Sequence, residues 1–343
     1  MLAKTAKTRW DGKGVRPPLP AHGGDIAWAR DVFGEPQDGW LDLSTGLNPW
    51  PYPVGAPTTE DWARLPTRNM EESLMDAAGR FYGVPAGAGI VAASGAQALI
   101  QWLPRIVPPS SVAVLAPTYA EHATVWRRAG HDVTEAESLA ATADVVVVVN
   151  PNNPDGRVFS VKTLLERAGK LASRGGLLIV DEAFADSEPA LSLSGACGRP
   201  GLVVLKSFGK FFGLAGLRLG FAIGPRSVCR ALADCLGPWA VATPALNAGI
   251  RALGDRAWAE ETRRRLPRAR QALDEVLTAA GLRLVGGTDL FRLVETDRAE
   301  DLFQRLGKEG VLVRGFQYND RWLRFGLPGG DDNLARLRAA LRQ

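Results

Sequence analysis

The stretch Ser207-Phe208-Gly209-Lys210-Phe211-Phe212-Gly213-Leu214-Ala215-Gly216-Leu217-Arg218-Leu219-Gly220 follows the apolar run Leu202-Val203-Val204-Leu205. It sets one lysine in a glycine-punctuated loop, with an arginine eight residues further on. Partial burial lowers a lysine's pKa, and a neutral amine can attack an aldehyde, so Lys210 is a candidate Schiff-base nucleophile. A surface lysine between a strand and a helix fits the same stretch, and the rest of the chain must decide.

Around this stretch, short apolar runs alternate with helical patterns. Val112 to Ala116, Val145 to Val149, Leu177 to Val180, Leu202 to Leu205 and Leu217 to Ile223 read as strands, and Ala120 to Ala129 and Val161 to Ser173 as helices. Continuous apolar character, without alternation, is expected of strands covered on both faces. The pattern predicts an α/β domain with a large, mostly parallel sheet, whose ligands gather at the strand ends. Upstream, Asn69 to Tyr82 carries helical spacing, and Val91 to Gln97 runs from a strand end through Ser94 and Gly95 into a helix expected from Ala96 to Ile106. Free N–H groups at such a helix start make an anion site. Ser94 serves equally well as a plain N-cap.

The first forty residues, with Pro17, Pro18, Pro20 and His22-Gly23-Gly24-Asp25, read as an irregular arm. The two glycines let backbone N–H groups approach an anion, although a simple turn accounts for them too. Trp40 to Ser44 is a short strand candidate, and Leu47 to Pro53 a proline-constrained loop. Beyond Gly237-Pro238-Trp239 a long helical pattern from Pro244 to Ala280 leads to a small α+β region. There strands are expected at Leu290 to Val294, Val311 to Val313 and Trp322 to Phe325, and helices at Ala299 to Gly307 and Asn333 to Leu341. The expected division is an N-terminal arm over 1–45, a large domain over 46–243, and a connecting helix with a small domain over 244–343.

The 343 residues are 46% hydrophobic and 23% charged, the balance of a globular protein with a sizeable core. No apolar run is long enough to span a membrane and Met1 to Pro20 lacks an apolar signal core, so a cytoplasmic protein is expected. Cys197, Cys229 and Cys235 show no paired ligand spacing, and there are three histidines, which argues against a disulfide framework or a metal centre. The net charge of +4 is spread along the chain. Its densest cluster, around Arg263-Arg264-Arg265, lies among Glu260, Glu261, Asp274 and Glu275, as on a solvated helix face, so no nucleic-acid partner is expected.

Four polar residues follow strand candidates, where ligands gather: Tyr119, Asn153, Asp181 and Lys210. An aspartate at the end of an apolar run needs a cationic or hydrogen-bonding partner, and a protonated pyridine nitrogen is one. Asn153 can donate to a phenolate-type oxygen, Tyr119 can stack on a flat ring, and Lys210 can capture an aldehyde. The helix start at Gly95, Ala96 and Gln97, with Ser207 and Arg218, can hold a phosphate. Together these are the parts needed to bind pyridoxal phosphate. Asp181 alone could also bind magnesium in a nucleotide hydrolase, and Asn153 could be a turn residue. No Gly-x-x-x-x-Gly-Lys-Ser/Thr loop and no helix-opening Gly-x-Gly-x-x-Gly exists here, which weakens nucleotide binding.

Asn152-Asn153-Pro154-Asp155-Gly156, Asp181-Glu182-Ala183-Phe184, and Ser207-Phe208-Gly209-Lys210 followed by Gly216-Leu217-Arg218-Leu219-Gly220-Phe221 resemble the motifs of fold type I pyridoxal-phosphate enzymes of aminotransferase class I/II. The resemblance covers nearly the whole chain and implies the aspartate aminotransferase-like fold and a homodimer. It implies that Lys210 is the Schiff-base lysine, Asp181 the pyridinium partner, Asn153 the donor to the ring oxygen and Tyr119 the stacking aromatic. It further implies that His122 stands behind the aspartate and that Arg324 grips a substrate carboxylate. A surface arginine at a strand edge is the alternative for Arg324. Three positions depart from the usual pattern: Phe184 stands where a tyrosine is common, Gly209 where a hydroxyl residue is common, and Leu65 where a tyrosine often reaches a neighbouring subunit.

Within the family, His22-Gly23-Gly24-Asp25, the Leu41 to Asn48-Pro49 segment, Asp181 to Phe184 and Pro238-Trp239 look more like the threonine-phosphate decarboxylases of cobalamin biosynthesis than the histidinol-phosphate aminotransferases. That likeness implies a small phosphorylated amino acid as substrate, met by His22, Gly23, Gly24, Asn48 and Arg324. A non-catalytic regulator using such a domain as a sensor is the remaining alternative. It would carry a DNA-binding module, and the first forty residues show no helix-turn-helix pattern.

Overall fold

The computed structural model describes residues 19–342. Pro17 and Pro18 of the expected arm lie outside them. In chain order the strands are β1 (Leu41–Asp42), β2 (Gly89–Ala93), β3 (Ser111–Leu115), β4 (Asp132–Ala136), β5 (Val145–Val149), β6 (Leu177–Asp181), β7 (Leu202–Ser207), β8 (Gly220–Gly224), β9 (Arg283–Thr288), β10 (Phe291–Glu295), β11 (Val311–Leu312), β12 (Arg314–Phe316) and β13 (Asn319–Gly326). The helices are α1 (Ile26–Phe33), α2 (Thr59–Ala63), α3 (Arg68–Tyr82), α4 (Ala96–Trp102), α5 (Glu121–Arg128), α6 (Val161–Ala172), α7 (Phe208–Phe211), α8 (Arg226–Leu236), α9 (Thr243–Gly254), α10 (Arg256–Ala279), α11 (Ala299–Lys308) and α12 (Asp331–Arg342). They form two compact units, one of residues 50–265 and one of 19–49 with 266–342.

The larger unit is built on a seven-stranded sheet ordered β2-β8-β7-β6-β5-β3-β4. The pairs β7–β6, β6–β5, β5–β3 and β3–β4 are parallel, and β8 runs antiparallel to both its neighbours. The five valines of β5 are all buried, as are Leu202 to Leu205 of β7. Each such side chain contributes about 1.5–3 kcal/mol on leaving water, so the continuous apolar runs fix the sheet's centre. Strand β4, Asp-Val-Thr-Glu-Ala, lies at the edge with three of its five residues exposed, which leaves no apolar run to mark it in the sequence. The expected strand from Leu217 begins later. Ala215–Leu217 forms a 3-10 turn and Arg218 takes a left-handed φ of 56°, so the extended backbone starts only at Gly220. The expected helix from Ala96 to Ile106 tightens into a 3-10 turn at Leu103, where Pro104 enters its first positions.

The second unit contains the four-stranded antiparallel sheet β12-β13-β10-β9 and the two-stranded parallel pair β1–β11. The expected strand Val311 to Val313 divides between β11 and β12, which belong to different sheets. The arm is not irregular throughout. Asp25 caps α1 by accepting the Trp28 N–H at 2.9 Å, and Ala29 and Val32 are buried. Residues 19–49 group with the C-terminal residues because β1 pairs with β11, Leu41 opposite Val311. The long helical pattern is two helices, α9 and α10, separated at Asp255.

Candidate active site

In the larger unit, the C-terminal ends of the parallel strands bring the polar residues together. Asp181 ends β6, paired with Val149 on one side and Leu205 on the other. It is buried, and its Oδ2 lies 2.9 Å from His122 Nε2, while its Oδ1 accepts the Ala183 N–H at 2.9 Å. His122, in the first turn of α5, is itself buried. The predicted pairing of these two residues is therefore a direct contact. The Tyr119 ring meets His122 edge-on, with centroids 6.1 Å apart. Burial, with the carboxylates of Glu121 and Asp181, pushes the Tyr119 phenol up to about 12, against the pull of Arg218.

Ser207 ends β7 opposite Gly220 of β8, and Lys210 lies on the single turn α7 that follows. The Lys210 ammonium sits 5.7 Å from the centre of the Phe184 ring. Gly209 leaves no room for a hydroxyl residue, since a Cβ there would come within 2.7 Å of the Ala215 backbone. Gly95 starts α4 without a side-chain cap, in a positive-φ conformation, and a Cβ there would strike the Arg218 guanidinium at 2.7 Å. A Cβ on Gly220 would sit 2.3 Å from the Ala96 nitrogen. The glycines thus let Arg218 and the α4 start converge. Ser94 is not the N-cap of α4, because its hydroxyl donates to Ala240 O at 2.6 Å.

The asparagines of the Asn150 to Gly156 loop do different things. Asn150 bonds both backbone groups of Phe159, and buried Asn152 bonds Pro117 O, Asp155 and Thr118, which fastens the loop and leaves Asn153 at its half-buried edge. Leu65 is 63% exposed.

Sequence inspection passed over the charges behind this site. Lys206, 1% exposed, contacts Glu182 Oε2 at 2.7 Å and Asp186 Oδ1 at 3.1 Å. Burial would lower its pKa, but Glu182 and Asp186 outweigh burial and leave it raised. Lys206 is therefore held as a cation, which disqualifies it as a neutral nucleophile beside Lys210. The available signal was a charge ending a fully apolar strand, the same cue that marked Asp181.

In the other unit, Arg324 on β13 stands between Leu293 of β10 and Arg314 of β12. It is 6% exposed, donates from Nη2 to Ser44 O at 2.8 Å, and lies 4.9 Å over the Phe291 ring, so it is not a surface strand-edge arginine. Burial, and then nearby Arg314, bring its pKa down to about 10. Gly24 donates its N–H to Ser44 Oγ at 2.7 Å, and a Cβ on Gly23 would lie 2.3 Å from Ser44 O, so the two glycines dock the arm on Ser44. His22 is exposed beside them and Asn48 is buried. His22, Gly23, Gly24, Ser44 and Arg314 line one pocket.

Among the described residues, no helix is long and apolar enough to cross a membrane. The family model for aminotransferase class I and II matches residues 56–341. The chain is 45% identical to a threonine-phosphate decarboxylase of Pseudomonas aeruginosa, over 93% of this chain and 96% of that protein. It is also 45% identical to one of a Sinorhizobium species, over 92% and 96%. The fold matches the crystal structure of a histidinol-phosphate aminotransferase from Clostridium acetobutylicum with a TM-score of 0.77 at 22% identity, covering 88% of this chain and 98% of that one. It matches the L-threonine-O-3-phosphate decarboxylase of Porphyromonas gingivalis with a TM-score of 0.69 at 20% identity, covering 88% and 98%. A histidinol-phosphate aminotransferase of Sinorhizobium meliloti solved with pyridoxal-5'-phosphate gives 0.75 at 21% identity, covering 87% and 89%.

Proposed function

The chain belongs to the aminotransferase class I and II family, and on that premise we propose that it binds pyridoxal 5'-phosphate and decarboxylates L-threonine O-3-phosphate to (R)-1-amino-2-propanol O-2-phosphate. The observation that carries the substrate is the 45% identity to two threonine-phosphate decarboxylases along nearly the full length of each. A place in cobalamin biosynthesis, a cytoplasmic location and a homodimeric state go with this proposal.

The residues fit the cofactor's chemistry. A buried carboxylate backed by a histidine suits a protonated ring nitrogen, and the glycine approach between α4 and Arg218 suits a phosphate. Lys210 would hold the cofactor covalently, Asp181 its ring nitrogen, Asn153 its ring oxygen and Tyr119 its face. Gly95, Ala96, Gln97, Ser207 and Arg218 would hold its phosphate. When bound, pyridoxal phosphate supplies an electron sink for the pair left behind as carbon dioxide departs.

The chain's own contribution is electrostatic and geometric. Asp181, fixed in place by His122 and the Ala183 N–H, would lie against the ring nitrogen and favour a proton there, so that the ring could accept negative charge. Arg324 takes the substrate carboxylate and thereby sets which bond at Cα is presented for cleavage. His22, Gly23, Gly24 and Asn48 receive the substrate's phosphate end. Lys210, the residue that would hold the cofactor, would also stand as the amine that returns a proton to Cα.

The test offers threonine phosphate alone, then histidinol phosphate with 2-oxoglutarate, and measures carbon dioxide and glutamate. Carbon dioxide in the first reaction is expected. Glutamate in the second with no carbon dioxide in the first would make the protein an aminotransferase instead. In Lys210→Ala, borohydride is expected to fix no cofactor to the chain, and a persisting fixed chromophore would remove Lys210 from its role.

A further inference from the structure

A chain of polar groups runs outward from the Tyr119 hydroxyl. Tyr119 Oη donates to Gln97 Oε1 at 3.0 Å, and Gln97 Nε2 donates to Glu121 Oε2 at 3.0 Å. Gln101 Nε2 reaches the same carboxylate oxygen at 3.4 Å. Gln97, Gln101, Tyr119 and Glu121 are all partly buried, where competition from water is reduced.

The order of donors in this chain is forced. A carboxylate only accepts, whereas an amide has one accepting and one donating end. Two amide nitrogens converging on Glu121 therefore fix Gln97 with its nitrogen toward the carboxylate, because the reverse orientation would set two acceptors face to face. The same orientation presents Gln97 Oε1 to Tyr119, which can meet it only by donating its own proton. Gln97 stands in the first turn of α4, whereas Tyr119 and Glu121 belong to the connection from β3 into α5, so the chain joins two separate segments at the strand ends.

We propose that Gln97 and Glu121 are positioning residues for Tyr119, fixing its ring as a stacking platform and committing its hydroxyl proton to Gln97, so that Tyr119 takes no part in proton transfer. Glu121 acts through Gln97, and the side chain of Gln97 has this role apart from any contact its backbone makes with a phosphate. The inference rests on the cofactor assignment above, and the experiment separates the two.

The holoprotein is compared with Glu121→Ala, Gln97→Leu, their double variant and Glu121→Gln. The readouts are visible circular dichroism of bound pyridoxal phosphate, which reports ring orientation, and cofactor affinity by equilibrium dialysis, with thermal unfolding as a control on folding. Each of the first two variants is expected to weaken cofactor binding by on the order of threefold to tenfold, the scale of one lost hydrogen bond, and to change the dichroic band. The double variant should be no worse than Gln97→Leu alone. Glu121→Gln, whose carbonyl still accepts from both amides, should restore the wild-type band. Multiplying effects in the double variant, or unchanged bands in both single variants, would overturn the proposal. If Glu121→Ala does not fold, Gln97→Glu is set against Glu121→Gln. Two carboxylates brought together should disturb the band, and equal bands for these two variants would overturn it as well. A wild-type protein with no visible band refutes the cofactor assignment itself, and this proposal with it.

Discussion

Replacing Lys206 by methionine should destabilise the larger unit severely without emptying space. Methionine nearly matches the lysine stem, so little of the effect comes from a cavity. What is lost is the cation between Glu182 Oε2 at 2.7 Å and Asp186 Oδ1 at 3.1 Å, together with a bond to Ser192 Oγ at 3.2 Å and a cation–π contact 4.8 Å over Tyr82. Glu182 keeps the Leu193 N–H and the Ser192 hydroxyl, each at 2.6 Å, but the two buried carboxylates lose the cation between them, with Arg263 near Asp186 left as a partial counter-charge. Removing one partner of a buried pair costs about 3–5 kcal/mol. At about 2–4 °C per kcal/mol for a unit of this size, Tm should fall by roughly 6–20 °C. A triple variant that adds Glu182→Gln and Asp186→Asn removes the stranded charges and should regain much of the loss. The folded pKa of Lys206 lies above its ordinary value. Its stabilisation is therefore complete below the ordinary lysine range and is lost only as pH rises through the higher folded value. The wild-type-to-variant gap in urea midpoint should be constant from neutral pH into the mild alkaline range and close above it. Tyr82, raised by burial and then by Asp186 and Glu182, destabilises both proteins at high pH, which is why the gap is the quantity to follow. A Lys206→Met protein within about 1 kcal/mol of wild type, where surface pairs fall, would refute the reasoning.

Arg324→Lys keeps the charge but gives up the planar fork, so KM for the phosphorylated amino acid should rise roughly tenfold to a hundredfold, and steady-state kinetics with an unchanged KM would remove Arg324 from the substrate. Gly95→Ala places a methyl 2.7 Å from the Arg218 guanidinium at a φ of +88°; strain of about 1–3 kcal/mol should appear as weaker cofactor binding in a fluorescence titration, and wild-type affinity would contradict it. Asp181→Asn keeps the shape beside His122 but loses a charge-assisted hydrogen bond, and cofactor affinity should fall roughly tenfold to a hundredfold by equilibrium dialysis, with an undiminished affinity counting against the ring-nitrogen role.

The parts of the fold legible in the sequence were those whose physics is local. Val145 to Val149 could only be a strand covered on both faces, and β5 occupies those five residues. Asp181 at the end of an apolar run demanded a partner, and the partner is His122. What escaped notice depended on distant company. Strand β4 is polar because it lies at a sheet edge, and its pairing with β3 is invisible to periodicity. Helix α1 was obscured by the prolines and glycines before it, although Asp25, Ile26, Ala29 and Val32 carried both a cap and a helical spacing. Arg324 looked the same whether buried or exposed, because a single arginine among apolar residues does not say which side of its strand meets Ser44 and Phe291.

The ends of β6 and β7 share a design that explains why the charges come in adjacent pairs. Consecutive side chains in extended backbone point to opposite sides. At the end of β6, Asp181 turns to His122 while Glu182 turns the other way to Lys206. At the end of β7, Lys206 meets Glu182 while Ser207 is paired with Gly220, one step before the turn that carries Lys210. One residue of each pair thus faces the proposed cofactor and its neighbour joins the buried ion cluster, so the cluster ties together the two strand ends whose spacing sets the distance from Asp181 to Lys210. A buried ion pair is a weak source of net stability, and replacing one by apolar residues is often neutral. Its value here is in register. Shifting β7 by one residue would exchange the two sides, placing Lys206 in the site and Ser207 against Glu182, and would strand a carboxylate without its cation. The cost of that exchange, rather than the strength of the resting pair, is what holds the site's geometry.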